Sequence, residues 1–358
     1  METNAAQTWE AYKARLLARL RPVLTVLGYT LDDEQPHTQG ERHVIQAVGG
    51  GRKLVLLGRA ANGARVVVKA ADEPEGMREL EHERACRAVL ERIHFAYGAF
   101  SAPNEIFFGR RGGLTLFITE FIEQSEPFLT RSTEDQFTIA LKAFKAQESA
   151  HATTAAHRAW VARTFGEMDA AQYCANARTY IRDIGSENPA FARAAALLCE
   201  HAETLDRYGS FLTHWDFLPQ NFRIRDGKLY LLDQSSLRFG NKYEGWARFV
   251  NFMELYNPVL ARALVRYVAD NRTSEESQAL KLMRVYRLLE LILHHALLLP
   301  ETTGNLHTLS EARVEFWTTV LECVLDDRGV PEATVEAYKA KRDSLRSADE
   351  KLRQKDLH

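Results

Sequence analysis

Residues 211–233 read Phe-Leu-Thr-His-Trp-Asp-Phe-Leu-Pro-Gln-Asn-Phe-Arg-Ile-Arg-Asp-Gly-Lys-Leu-Tyr-Leu-Leu-Asp. Within this segment Asp226-Gly227 is a strong turn signal, and the apolar and β-branched residues on either side of it predict the two strands of a hairpin. Asp216 and Asn221 therefore lie on a loop before the hairpin, and Asp233 lies where the second strand ends. The spacing thus predicts that the side chains of Asp216 and Asn221 converge on one point, with Asp233 following the hairpin.

These residue types suit phosphoryl transfer from a nucleotide. In that reaction one carboxylate orients the attacking hydroxyl, while an Asn and a second Asp hold the magnesium that neutralises phosphate charge. Magnesium prefers hard oxygen ligands, which carboxylates and the carbonyl of an Asn both supply. The alternative is that Asp216, Asn221 and Asp233 are ordinary turn residues, because His-x-Asp alone is common. The spacing of all three favours the functional interpretation.

Upstream, the sequence predicts a meander of three strands, over residues 42–48, 54–57 and 65–69. Gly49, Gly50 and Gly51 separate the first two strands, and Lys69 ends the third. Glycines allow backbone amides to approach phosphates closely, although a flexible hairpin turn explains the three glycines almost as well. Lys69 is positioned as a phosphate-binding cation, or alternatively as a surface lysine at a strand end.

A helix is predicted after Pro74, with Glu79, Glu81 and Glu83 along it. A phosphate-binding lysine needs a carboxylate partner that holds its ammonium in place. Glu79 and Glu83 are four residues apart and share a face, whereas Glu81 points elsewhere. Because Glu83 lies beside the apolar face, it is the first candidate partner of Lys69, and Glu79 is the alternative.

A second hairpin is predicted from residues 105–108 and 114–118, and its second strand continues into residues 119–123. A strand that leads into a short connector before a helical region is typical of a hinge between two lobes. Here the backbone near Glu120 and Ile122 is expected to hydrogen-bond an adenine. From Thr133 onward the chain is predicted to be mainly helical.

In chain order, residues 40–260 resemble the aminoglycoside phosphotransferase and choline kinase branch of the protein-kinase-like fold. The resemblance implies an α+β, bilobal architecture, in which an antiparallel sheet and one long helix form the N-lobe and the C-lobe is mainly helical. The amphipathic apolar stripe from Trp9 to Leu27 predicts an N-terminal helical extension over 1–40, which precedes the expected nucleotide-binding N-lobe over 41–123 and C-lobe over 124–358. The resemblance is carried by a glutamate on the predicted helix and by Lys69, His214, Asp216, Asn221 and Asp233.

By this resemblance Asp216 is the catalytic base or hydroxyl-orienting group, and Asn221 and Asp233 bind magnesium. Lys69 contacts the α- and β-phosphates of ATP or GTP, with Glu83 as its partner. The acceptor is implied to be a hydroxyl of a small molecule, of the aminoglycoside, amino alcohol or sugar type.

The resemblance also implies that His214 is a structural brace of the loop. Two features depart from the family's pattern. Gln234-Ser235-Ser236 follows the second Asp where protein kinases have Phe-Gly, and Arg248 stands where an acidic residue is usual. These departures indicate a divergent member.

The composition is that of a globular enzyme outside a membrane. Of 358 residues, 46% are apolar, and 46 Lys and Arg against 48 Asp and Glu give a net charge of −2. That balance gives no electrostatic footprint for nucleic acid. No stretch approaches the ~20 apolar residues of a membrane helix. The four cysteines form no Cys-x-x-Cys pair and are expected to be reduced thiols of a cytoplasmic monomer or homodimer.

Several interpretations stay open at this point. A nucleotide-binding pseudokinase or scaffold would keep the fold without turnover, and a protein kinase would be expected to have an Ala-Pro-Glu element, which is missing. Glu311, Glu315 and Glu322 fall near one face of a predicted helix, where they would either receive a cationic substrate or form a solvated acidic face. The adjacent His294 and His295 are not expected to bind one metal.

Overall fold

The computed structural model describes residues 9–33, 35, 52–95 and 101–346. The predicted strand over 42–48, Gly49, Gly50 and Gly51 lie outside these residues, as does the predicted boundary at residue 40. Among the described helices, none combines the length and apolar character needed to cross a bilayer.

Five antiparallel strands form the N-lobe sheet. They are Tyr29–Leu31 (β1), Leu54–Ala60 (β2), Arg65–Ala71 (β3), Glu105–Arg111 (β4) and Leu114–Glu120 (β5), and their order across the sheet is β1-β2-β3-β5-β4. Among the described residues, the strand that precedes β2 and pairs with it is β1, at residues 29–31. Part of the predicted N-terminal extension therefore belongs to the sheet.

One helix covers each face of this sheet. Trp9–Val26 (α1) buries a stripe that recurs every four residues, Tyr12, Leu16, Leu20 and Leu24, against alternate residues of β2, β3 and β5. Pro74–Glu91 (α2) packs against the other face, where Leu80 meets Ala71 and Phe117. Because successive strand residues point to opposite faces, the odd-numbered residues of β2 and β3 face α2.

The C-lobe is built mainly from helices around an aromatic core. In that core Phe144 and Trp246 stack with ring centroids 4.0 Å apart, and Phe217 stacks on Phe222 at 5.1 Å. Nine helices are described, namely Thr133–Phe165 (α3), Ala170–Ile184 (α4), Pro189–Glu200 (α5), Ala202–Arg207 (α6), Glu244–Tyr256 (α7), Pro258–Asn271 (α8), Ser274–Ala296 (α9), Gly304–Leu325 (α10) and Glu332–Leu345 (α11).

Two short strand pairs lie between α6 and α7. Phe211–His214 (β6) pairs with Leu237–Gly240 (β9), and Phe222–Arg225 (β7) pairs with Lys228–Leu231 (β8). The turn between β7 and β8 is Asp226-Gly227, with φ of 52° and 71°, as that dipeptide predicts. The predicted α+β bilobal architecture, with an antiparallel N-lobe sheet and a mainly helical C-lobe, is confirmed.

Candidate active site

The loop after β6 holds Asp216 and Asn221 together. Stacking of Phe217 on Phe222 anchors the loop in the aromatic core. The side-chain amide of Asn221 donates to the backbone oxygen of Asp216 at 2.7 Å and to its carboxylate Oδ2 at 3.0 Å. The backbone N–H of Leu232 donates to the carbonyl of Asn221 at 2.8 Å. This bond ties the end of the hairpin to the loop, so Asp233 lies beside the other two residues.

Asp233 is fixed by its own local turn. Its φ of 51° is a left-handed conformation that Asp tolerates better than most residues. The hydroxyls of Ser235 and Ser236 donate to its two carboxylate oxygens at 2.6 and 2.8 Å. Nε2 of the buried His214 lies 3.1 Å from the carbonyl oxygens of both Leu232 and Asp233. The residues that depart from the kinase pattern thus orient the carboxylate.

In the N-lobe, Lys69 forms an ion pair with Glu83. Lys69 is an odd-numbered residue of β3, so its side chain points toward α2, where Glu83 is nearly buried with 4% of its side chain exposed. Glu79 pairs instead with Lys53 at 3.1 Å, and Glu81 pairs with Arg110 at 2.8 Å. Of the two glutamates considered from the sequence, Glu83 is therefore the one that contacts Lys69.

Lys53 is a second lysine on this face that the sequence reasoning missed. It lies on the same side of the sheet as Val55, the residue that pairs with Lys69 across β2 and β3. Burial alone would lower the pKa of Lys53, but the charges of Glu83, Asp233 and Glu79 raise it above its ordinary value. Its place two residues after the three glycines, next to a strand, is the sequence signal that identifies it.

A glycine on α2 helps to place Lys53. A Cβ on Gly76 would lie 2.1 Å from the carbonyl oxygen of Arg52, so only glycine lets α2 pack this closely against the residue before Lys53.

The charges of the two lobes act on each other at Asp233. Burial would raise the pKa of this carboxyl, but the positive charges of Lys69 and Lys53 and the hydrogen bond from Ser235 lower it to about 2. The ionised form is therefore strongly favoured at neutral pH, and two lysines of the N-lobe face one carboxylate of the C-lobe.

Asp216 is held by an arginine from α7. Nε of Arg248 donates to Asp216 Oδ1 at 2.9 Å, and 27% of the Asp216 side chain is exposed. Burial would raise the pKa of Asp216, but the charges of Arg248 and His214 and the hydrogen bond from Arg248 keep it below its ordinary value. Asp216 is therefore an ionised carboxylate with little tendency to take up a proton.

The predicted hinge follows β5. The Glu120 carboxylate accepts the backbone N–H of Asn104 at 3.1 Å and lies 3.8 Å from a guanidinium nitrogen of Arg225, so its side chain contacts both the N-lobe and strand β7. Ile122 is buried, and its backbone N–H and C=O form no hydrogen bond with any other residue in the described parts of the chain.

Asn221 and Asp233 have the donor chemistry that magnesium requires. Because the amide nitrogen of Asn221 faces Asp216, the amide oxygen points away from it and is left as a neutral ligand. Within the residues described, no group of three or more His, Cys, Asp or Glu side chains is arranged to hold a metal. A magnesium ion would thus have two protein ligands, which fits an ion that also takes phosphate oxygens and waters.

The chain matches no protein-family model and no curated protein by sequence, but it is similar to solved structures. Aminoglycoside phosphotransferase APH(4)-Ia is 15% identical, with a TM-score of 0.59 over 88% of this chain and 100% of that one. Aminoglycoside 2'-phosphotransferase-IIIa, solved with GDP, is 12% identical, with a TM-score of 0.57 over 89% and 99%. Macrolide 2'-phosphotransferase type I is 14% identical, with a TM-score of 0.54 over 86% and 97%. The chain therefore has the bilobal, protein-kinase-like fold of these aminoglycoside and macrolide phosphotransferases.

Proposed function

We propose that this protein is a magnesium-dependent phosphotransferase that moves the γ-phosphoryl group of ATP or GTP to a hydroxyl of a small molecule. The observation that carries the proposal is the electrostatic interaction between lysines of the N-lobe and a carboxylate of the C-lobe. Lys69 and Lys53 of the N-lobe act electrostatically on Asp233, while Asn221 joins Asp216 to the hairpin that ends at Asp233. Two cations and three oxygen-bearing side chains at one site suit a nucleoside triphosphate and its metal.

In this proposal Lys69 and Lys53 bind the nucleotide phosphates, and Glu83 holds Lys69 toward them. The backbone N–H and C=O of Ile122, which bond to no other described residue, would hydrogen-bond the adenine. Asn221 and Asp233 would hold magnesium, which when bound supplies neutralisation of the negative charge on the phosphate oxygens. The serine hydroxyls beside Asp233 keep its carboxylate in one orientation.

Asp216 would orient the acceptor hydroxyl. Its pKa is lowered, so it is a weak base that does not remove the hydroxyl proton before reaction. The proton would pass to Asp216 only as the oxygen–phosphorus bond forms and the hydroxyl becomes acidic. Catalysis is then mainly positioning and charge neutralisation, as expected for a loose phosphoryl-transfer transition state.

The solved neighbours support nucleotide use and a small acceptor. A thermostable mutant of APH(4)-Ia has been solved in a ternary complex with AMP-PNP and hygromycin B. The four cysteines of the present chain form no disulfide, which fits the reducing cytoplasm. We therefore place the proposed enzyme in the cytoplasm, as a monomer or homodimer.

The test is nucleotide consumption with and without magnesium, in the wild type and in Asp216→Asn, across aminoglycosides, amino alcohols, sugars and nucleosides. We expect Asp216→Asn to lower kcat by about 10²–10⁴-fold. Asp226→Asn is a matched control, because Asp226 lies in the exposed β7–β8 turn and Asn tolerates its positive φ. Equal residual activity in wild type and Asp216→Asn would refute the role given to Asp216.

A nucleotide-binding scaffold without turnover is the second candidate. It is favoured by one observation, namely that Arg248 and Asn221 already engage both carboxylate oxygens of Asp216. Magnesium-dependent nucleotide binding with no consumption across the whole acceptor panel would support the scaffold and exclude the enzyme.

A further inference from the structure

The two faces of the β7–β8 hairpin have different neighbours. The residues of one face are apolar and pack against the C-lobe core, namely Phe222, Ile224, Leu229 and Leu231. Successive residues of a strand point to opposite sides, so the residues between them point away from that core. These residues are Arg223, Arg225, Lys228 and Tyr230, and we refer to them as the polar face of the hairpin.

One end of the polar face contacts the predicted hinge. A guanidinium nitrogen of Arg225 lies 3.8 Å from the carboxylate of Glu120, the last residue of β5. The same guanidinium donates to the hydroxyl of Tyr230 at 2.9 Å and lies over its ring, with the carbon 4.8 Å from the ring centroid. Ile122, whose backbone is proposed to bind the adenine, follows Glu120 by two residues. The polar face is therefore turned toward the N-lobe at the hinge.

The other end of the polar face adjoins the residues proposed to hold magnesium. Nη1 of Arg223 donates to the backbone oxygen of Gln220 at 3.2 Å and to that of Phe222 at 2.8 Å, the two residues on either side of Asn221. Arg223 follows Asn221 by two residues and precedes Arg225 by two, a separation of about 7 Å along an extended strand. Arg223 thus lies between the proposed metal ligands and the hinge.

Arg223 has a charge and hydrogen-bond donors that the protein leaves unused. Both of its hydrogen bonds come from Nη1, and its Nε and Nη2 bond to no residue in the parts of the chain that the structure describes. No carboxylate within those parts forms an ion pair with it. Burial lowers the pKa of Arg223, but a guanidinium stays charged in a protein. Because buried charges are normally paired, a half-buried cation without a counter-charge is typical of a ligand-binding residue.

The position of Arg223 selects the part of the nucleotide that it would meet. The proposed phosphate-binding lysines, Lys53 and Lys69, pair with glutamates of α2, and their charges act on Asp233 at the end of the hairpin. Arg223 lies on the other side of Asn221, toward the hinge. A nucleotide with its adenine at Ile122 and its phosphates at the lysines would therefore pass its base and ribose over Arg223, and not its triphosphate.

We infer that the guanidinium of Arg223 stacks on the base of the bound nucleotide, on the C-lobe side of the site. This inference rests on the proposed function. A guanidinium is planar and weakly hydrated, and the negative face of an aromatic ring attracts its charge. Every base has such a face, so the contact depends on the ring and not on the groups at its edge. Arg223 would then strengthen the binding of ATP and GTP alike.

The first experiment measures the Kd of AMP-PNP with magnesium for the full-length protein by calorimetry. We expect Arg223→Met to raise this Kd by about 5- to 30-fold, because a cation–π contact is lost. Lys228→Met is the matched control, since Lys228 is an exposed cation on the same face, next to the turn. An unchanged Kd in Arg223→Met, or an equal rise in both variants, would overturn the inference and keep the proposed function. No binding by the wild type would overturn both.

The second experiment distinguishes a contact with the base from a contact with a phosphate. We expect Arg223→Phe to recover most of the affinity for AMP-PNP, because an aromatic ring also stacks on a base. Arg223→Lys should bind AMP-PNP more weakly than the wild type, because an ammonium has no planar face. Wild-type affinity in Arg223→Lys, with none recovered in Arg223→Phe, would show a phosphate contact and refute stacking.

Steady-state kinetics separate binding from support of the loop. Loss of stacking should raise KM for ATP with little change in kcat, because Asp216 and Asn221 keep their positions. Thermal unfolding of the nucleotide-free variants checks the fold, and Arg223→Lys keeps a donor for the carbonyls of Gln220 and Phe222. A fall in kcat with unchanged KM for ATP would show that Arg223 only supports the loop, and the inference would be wrong.

Discussion

Replacing Lys69 by Met tests whether the ion pair with Glu83 serves the nucleotide or only the fold. Glu83 has 4% of its side chain exposed and Lys69 has 17%, so the variant leaves a nearly buried carboxylate without its cation. The second oxygen of Glu83, Oε2, is buried and has no hydrogen-bond partner among the described residues. Breaking a buried ion pair from one side costs about 3–5 kcal/mol. We expect about 3 kcal/mol, because Lys53 still acts on Glu83.

The double variant Lys69→Met with Glu83→Gln separates stability from activity. Removing the carboxylate charge as well should restore the free energy of unfolding to within about 1 kcal/mol of the wild type. Phosphoryl transfer should stay about 10²–10³-fold lower in both variants, because neither has the ammonium that binds the phosphates. Urea unfolding and label transfer from ATP measure the two quantities on the same preparations.

A surface pair supplies the matched control. Arg158 and Glu167 lie 2.8 Å apart with 45% and 42% of their side chains exposed, so Arg158→Met should cost less than about 1 kcal/mol. Recovery of activity together with stability in the double variant would refute a phosphate-binding role for Lys69. An unaltered free energy of unfolding in Lys69→Met would refute the buried pair itself.

Three further changes test the electrostatics of the cleft. Asp233→Asn should destabilise the protein by about 2 kcal/mol at pH 7, because the carboxyl pKa of Asp233 is lowered from 3.8 to about 2. This stabilisation is present above pH ~4 and is lost as the pH falls toward 2. Urea unfolding at several pH values measures the difference between the variant and the wild type. Arg248→Gln should raise the pKa of Asp216 and move the acidic limb of the pH profile of kcat/KM to higher pH. An acidic limb at the wild-type pH would show that Arg248 does not lower the pKa of this carboxylate. Lys53→Met should raise KM for ATP by about tenfold in steady-state assays, and an unaltered KM would exclude Lys53 from the phosphate site.

The α+β bilobal fold was predictable because each of its main elements has a local signal. Short runs of apolar and β-branched residues predict the strands at residues 54–57 and 65–69, and Asp226-Gly227 predicts the hairpin between Asn221 and Asp233. The segment that pairs with β2 through residues 29–31 was not predicted, because a three-residue strand has too short a pattern to distinguish it from a loop.

The sequence by itself determined that Lys69, Asp216, Asn221 and Asp233 are candidates for one site, since the spacing from Asp216 to Asn221 and the alternation along β3 fix side-chain directions over a few residues. The sequence left Glu79 and Glu83 as alternative partners of Lys69. Only the tertiary structure decided that Glu83 contacts Lys69, that Lys53 joins them and that Arg248 binds Asp216. Packing likewise decided that Glu322 of α10 meets Asn188 and that Glu315 meets Lys341, because helical periodicity gives the faces of a helix but not the neighbour that each face meets. Contacts between residues distant in sequence depend on how whole elements pack, and no local pattern of residues encodes that arrangement.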